Sequence, residues 1–159
     1  MKSLFVLLTV ALFSATVPAQ PAGNTRNSST GVENRLVGAW KLVSLEEPDA
    51  GGLPHKADCD GQFVFTNDGK AAVQVMYRGA QSGSAYAHGG SAYAHGGYEA
   101  SYGSYRIDSA SIFTFHIDGA LVRTLIGKDL KRVYEISGNR LTVTSTDPNE
   151  HWKVVWERY

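Results

Sequence analysis

The chain is short of nearly everything that would give its function away. Its 159 residues include one cysteine, five prolines and two methionines, and its 15 Lys and Arg balance 15 Asp and Glu. A lone Cys59 excludes an intramolecular disulfide, so the fold must rest on its core. Cys59 stands between Asp58 and Asp60, whose charges raise a thiol's pKa and dull its reactivity. A net charge of zero and the lack of a basic stripe argue against a nucleic-acid partner. Gly-x-Ser-x-Gly, His-Glu-x-x-His, Cys-x-x-Cys and a phosphate-cradling glycine loop are all missing, so no common catalytic motif, cofactor site or metal site is indicated. The five histidines, at 55, 88, 95, 116 and 151, are scattered.

Long apolar runs are also missing. The longest, Leu4 to Ala15, is about a dozen residues, too short to span a bilayer. It follows the basic Lys2 and precedes the small residues around Val17-Pro18-Ala19. This is the pattern of a signal peptide over residues 1–19, with the mature chain starting at Gln20. No cysteine marks the cleavage point, so no lipid anchor is expected. The expected location is periplasmic or secreted, without membrane insertion after cleavage. Residues 20–34 are polar, rich in Gly, Asn, Ser and Thr, and read as a disordered linker. Residues 35–159 form one domain.

Within that domain the apolar residues repeat every second position. Phe63 and Phe65 alternate with polar neighbours, Asn67-Asp68-Gly69 turns the chain, and Ala71, Val73, Val75 and Tyr77 alternate again. This predicts a hairpin. Phe113, Phe115 and Ile117 form a further face, and Leu130, Arg132, Tyr134 and Ile136 another. Turns follow at Ser137-Gly138-Asn139 and Asp147-Pro148-Asn149. Helical spacing is missing outside the leader. The pattern predicts an all-β, up-and-down antiparallel barrel, with a two-sheet sandwich as the alternative. The first strand carries Gly38-Ala39-Trp40 and the last carries Trp152, Val154, Trp156 and Arg158 on one face. Two such strands suit a sheet closed on itself.

One segment breaks the alternation. Ser84-Ala85-Tyr86-Ala87-His88-Gly89-Gly90 is repeated at once as Ser91-Ala92-Tyr93-Ala94-His95-Gly96-Gly97. Two copies are too few for a solenoid. Residues 78–97 read as a long Gly/Tyr/His loop. A lid over a site is the functional alternative, and two histidines alone are a weak metal signal.

Several blocks resemble the bacterial and fungal lipocalin-like domain family. Leu36 to Glu46 is similar to its first strand, and Gly61 to Gly69 to its glycine, apolar strand and Asp-Gly turn. Tyr98 to Asp108 is similar to its Tyr…Gly-Thr-Tyr-x-Val-Asp block, and Trp156-Glu157-Arg158 to its close. The resemblance implies a small antiparallel barrel with a central cavity. It also implies that Trp40 packs under Arg158 as a structural plug, with Gly38 permitting the approach and Trp156 beside them. Two features depart from the family. Arg123-Thr124-Leu125 stands where relatives often carry Pro-Asn-Trp, and the double heptad is peculiar to this chain.

These readings set the site candidates. Arg132 lies on an inward face and matches a family arginine. It must be paired if buried, either by a Glu or Asp or by a ligand's carboxylate or carbonyl. Tyr77, Tyr102, Tyr105 and Tyr134 either pack the core or line a pocket. His116 matches a family histidine but alternates onto the polar face, so a surface position is expected. Were the face assignment reversed, it would be the acid–base candidate. The leading expectation is a binding module for a small apolar or amphipathic ligand. A barrel enzyme of isomerase or cyclase type using His116 or a tyrosine is the second, and a structural or interaction domain with a filled interior the third.

Overall fold

The computed structural model describes residues 35–49, 51–78, 95 and 97–159. The expected signal peptide and linker, and most of the duplicated heptads, lie outside the described residues. What is described is almost wholly strand. In chain order the strands are β1 (Gly38–Pro48), β2 (Pro54–Lys56), β3 (Cys59–Phe65), β4 (Lys70–Tyr77), β5 (Tyr98–Ser109), β6 (Ile112–Ala120), β7 (Asp129–Ser137), β8 (Arg140–Ser145) and β9 (Lys153–Arg158). A single 3-10 turn, Arg123–Leu125, precedes β7.

From β3 to β9 each strand pairs antiparallel with the next, and β9 pairs back onto β1. Eight strands thus close into a barrel, and the short β2 pairs only with the far end of β1. This is the expected up-and-down closure rather than a sandwich. The expected turns lie where the sequence puts them: 66–69 joins β3 to β4, with Gly69 N donating to Thr66 O at 3.2 Å, and 138–139 joins β7 to β8.

Period-2 alternation fills the interior. Phe63, Phe65, Val73, Val75, Phe113, Phe115, Ile117, Leu141, Val143 and Trp156 are all buried. The phenylalanines meet as a tilted and edge-on cluster. Phe63 lies 4.2 Å from Phe65 and 5.7 Å from Trp156 between ring centroids, and Phe65 lies 5.7 Å edge-on to Phe113. Such geometry suits the aromatic quadrupole.

One end of the barrel is plugged. Trp40 is fully buried and its Nε1 donates to the Leu36 carbonyl at 2.7 Å. The Arg158 guanidinium stacks 4.2 Å from the centre of the Trp40 ring. It donates to the carbonyl of Val37 at 2.7 Å and to that of Arg35. Gly38 has a φ of +130°, and a Cβ there would sit 2.6 Å from Arg158 Nη1. Only glycine tolerates both conditions. Arg158 itself is exposed, so the cation–π contact contributes about 0.5–1 kcal/mol, less than a desolvated one.

The tryptophan therefore carries more of this end's stability than the arginine. Trp40→Ala should lower unfolding free energy by about 3–5 kcal/mol. Urea melts would measure this.

Candidate ligand cavity

At the opposite end, strand alternation delivers charged groups to the interior. The switch begins in β1. Trp40 and Leu42 face inward, and strict alternation would next bring in Ser44 and Glu46. The β1–β9 register shifts between Leu42 and Ser44. This bulge changes the phase. Leu45 and Glu47 become the buried residues, and Glu46 turns outward to pair with Lys153 at 3.0 Å. On β5 the odd-numbered positions face in, bringing Glu99 and Ser101 inside; on β7, Leu130 and Arg132 do so.

These residues surround a cavity of about 80 Å³, walled mainly by Leu45, Phe63, Val73, Val75, Phe115, Ile117, Val154 and Trp156. Drug-sized pockets run to roughly 300–1,000 Å³. Much of the barrel is therefore filled by side chains, and the remaining space suits a small molecule. Arg132, Glu47, Glu99 and Trp152 also line it.

Arg132 is 8% exposed. Its Nη1 donates to the Lys131 carbonyl at 3.1 Å and lies 3.7 Å from Glu150 Oε2. Its guanidinium sits 5.0 Å from the Trp152 ring centre, and Trp152 Nε1 donates to the same Glu150 oxygen at 3.3 Å. Glu150 thus ties the guanidinium and the indole together. Glu47 accepts from Tyr77 Oη at 3.3 Å. Burial raises the Glu47 pKa, against the opposing pull of the Tyr77 hydrogen bond and of His55. Burial pushes Glu99 further, up to about 7; Arg132 pulls it down and the Glu47 charge adds to the rise. Desolvation outweighs the pull of Arg132 at Glu99. Among the described residues no group of three or more His, Cys, Asp or Glu side chains could hold a metal ion.

A lipocalin-like domain model matches residues 37–159, the whole barrel. The chain belongs to the lipocalin-like domain family. In structure it is similar to an uncharacterized protein from Bacteroides eggerthii DSM 20697, at 16% identity and a TM-score of 0.47, covering 78% of this chain and 99% of that one. It is also similar to a lipocalin-like protein from Bacteroides uniformis ATCC 8492, at 15% identity and a TM-score of 0.46, covering 78% and 98%. No curated protein matches.

The lipocalin-like barrel places the residues singled out in the sequence unevenly. Arg132 is a cavity wall. Tyr77 reaches the site through Glu47. Tyr134 is buried and packs 5.7 Å from Phe113, a cavity wall, without lining the cavity itself. Tyr105 stacks edge-on with Phe65 at 5.0 Å and donates to the Thr66 carbonyl, at the plugged end. Tyr102 is 61% exposed and lies over Gly119, where a Cβ would clash with its ring. Tyr102 and Tyr105 are three apart on one strand and so face opposite ways; a pocket role for both is corrected on that ground. His116 faces outward, with Nδ1 2.7 Å from Asp129 Oδ1 and its side chain 43% exposed. The surface position expected from alternation holds, and His116 has no access to the cavity from there. Glu47 and Glu99 were the residues missed. Glu99 was readable from the face it shares with Ser101; Glu47 was hidden by the bulge.

The raised carboxyl pKa values make stability fall with pH. Glu99 binds its proton more tightly folded than unfolded. Its contribution is therefore full below the ordinary glutamate value of 4.5 and is lost as pH rises towards about 7. Glu47 acts in the same direction. Glu99→Gln should stabilise the protein by on the order of 2 kcal/mol at about pH 8 and by little at about pH 4, as denaturant melts at the two values would show.

Proposed function

We propose that this protein binds a small, mainly apolar or amphipathic ligand in the barrel cavity, acting in the periplasm or outside the cell. One observation carries the reading. An apolar cavity ends in a cation and two carboxylates, Arg132, Glu47 and Glu99, in a protein whose other end is plugged by aromatics. Concave apolar sites with a few placed polar groups are how proteins hold small molecules. A structural domain would have little reason to leave a buried carboxyl in Glu99's unfavourable surroundings, because an apolar residue would serve stability better. The volume limits the ligand to a small body, or to one whose far end stays in solvent. The leader-like run from Leu4 to Ala15 supports an exported site of action.

A second reading is acid–base chemistry in the same cavity. Its carrier would be Glu99, whose carboxyl, pushed up to about 7, can both hold and release a proton near neutrality. Among the described residues neither His116 nor a tyrosine lines the cavity, so Glu99 is the group placed for that role.

Native mass spectrometry of the protein recovered from its own compartment tests the binding reading. A small adduct should accompany the wild type and be released by solvent extraction. Val75→Phe adds bulk to a cavity wall and should abolish the adduct while costing about 1–3 kcal/mol of stability. An adduct that survives in Val75→Phe would place the ligand elsewhere. Repeated preparations without any adduct would favour a filled, structural barrel.

A further inference from the structure

The polar end of the cavity is not balanced in charge. Arg132 is its one buried cation among the described residues; it lies 3.7 Å from Glu150, and its charge acts on Glu99. Glu150 lies 3.7 Å from Arg132 and also accepts from Trp152 Nε1, so it already offsets the guanidinium. Glu47 has a neutral partner, the Tyr77 hydroxyl. His55 uses its Nδ1 on the Glu47 backbone carbonyl at 3.0 Å. Two carboxylates therefore face one small apolar cavity, Glu99 with a share of the guanidinium and Glu47 with the weaker pull of the exposed His55. A ligand carboxylate entering there would bring a further negative charge into the same low-dielectric space. A neutral ligand would leave the imbalance in place. A ligand cation would offset it, and would do so where water is largely excluded.

We propose that the ligand of this cavity is a small monocationic amphiphile, an alkyl or aryl amine. Its apolar body lies among Val75, Phe115, Val154 and Trp156, and its ammonium lies at Glu99 and Glu47. This rests on the binding reading above and names its ligand class. The shift of the Glu99 carboxyl to about 7 is consistent with it: without a cation, the site relieves its charge by holding a proton. Amine binding then displaces that proton, so affinity falls as pH drops below the Glu99 value. The amine itself stays protonated throughout, as a lysine side chain would.

Three probes with one apolar body separate the possibilities: hexylamine, hexanol and hexanoate, titrated into the full chain. Trp152 and Trp156 both line the cavity, so their fluorescence reports binding at this site. At about pH 8, hexylamine should bind about tenfold more tightly than hexanol, and hexanoate more weakly than either. The amine's advantage should shrink at about pH 5.5, and the calorimetric heat should vary with the buffer's ionisation heat as a proton is released. Glu99→Gln should remove most of the tenfold advantage and leave hexanol unchanged; Glu47→Gln gives the same readout if the first variant does not fold. Equal binding of amine and alcohol, or tighter binding of hexanoate, would overturn the ligand class while leaving the binding reading intact. Failure of all three probes to perturb the tryptophans would overturn both.

Discussion

The pairing of the last strand with the first is the constraint on which the rest of this molecule depends. Without it the sheet has two edges and no interior. With it, every inward residue is committed to one enclosed space, and edge pairing with other chains is removed along most of the sheet. Trp40 and Arg158 sit opposite each other in that seam. Their stacked contact joins the two ends of the domain directly, and Arg158 extends the tie to the carbonyls of Arg35 and Val37 just ahead of β1. The register is pinned as well as the pairing. Gly38 leaves room for the guanidinium at one position only, so a slip of one residue would bring a side chain into it and turn every face of β1 over.

The same seam contains the irregularity that makes the barrel two-ended. Below the bulge, β1 contributes Trp40 and Leu42 to an aromatic and aliphatic plug; above it, Leu45 and Glu47. One inserted residue thus separates an end built for packing from an end that carries charge. The two ends also differ in how their charged groups are met. At the plug, Trp40 Nε1 and the Arg158 guanidinium donate to backbone carbonyls, which lets the indole be enclosed at low cost under the exposed guanidinium. At the cavity, burial raises the carboxyl pKa of both Glu47 and Glu99, and at Glu99 the nearby Glu47 charge adds to the rise. Burial of this sort lowers stability at neutral pH and makes the site responsive to a charged partner.

Much of the architecture was legible in the sequence because it rests on local patterning. Phe63 and Phe65, Val73 and Val75, and Phe113, Phe115 and Ile117 all take the faces that alternation assigns, and the Asn-Asp-Gly and Ser-Gly-Asn turns fall between the strands they should join. The plug was legible for a different reason: Gly38, Trp40 and Arg158 match a family pattern, and the alternation of β9 gives Arg158 the right face. The cavity was less legible. Alternation predicts faces only while a strand stays regular, and nothing in Leu42-Val43-Ser44 announces that β1 is about to change phase. Tyrosines also drew attention away from glutamates. A tyrosine suits a pocket by composition, but Tyr105 is spent on Phe65 and Tyr102 on covering Gly119. Glu99 has no such decorative chemistry, yet its position on the inward face of β5 was fixed by the same period that excludes Tyr102.

Arg132 shows why a salt bridge and a ligand contact need not be rival explanations. Its ion pair with Glu150 is long, at 3.7 Å, and Glu150 is the more exposed partner, with 29% of its side chain accessible against 10% for Arg132. A pair of this kind recovers only part of the desolvation cost of the guanidinium. The remainder is offset by the Lys131 carbonyl and by the Trp152 ring. Arg132 is thus held in place by several weak partners and fixes the potential at the polar end without depending on a ligand to stay buried. Glu99 and Glu47 have fewer fixed partners, so they are the groups whose charge state a ligand can change. In this arrangement the arginine sets the field at the polar end, and the carboxylates with raised pKa values respond to it.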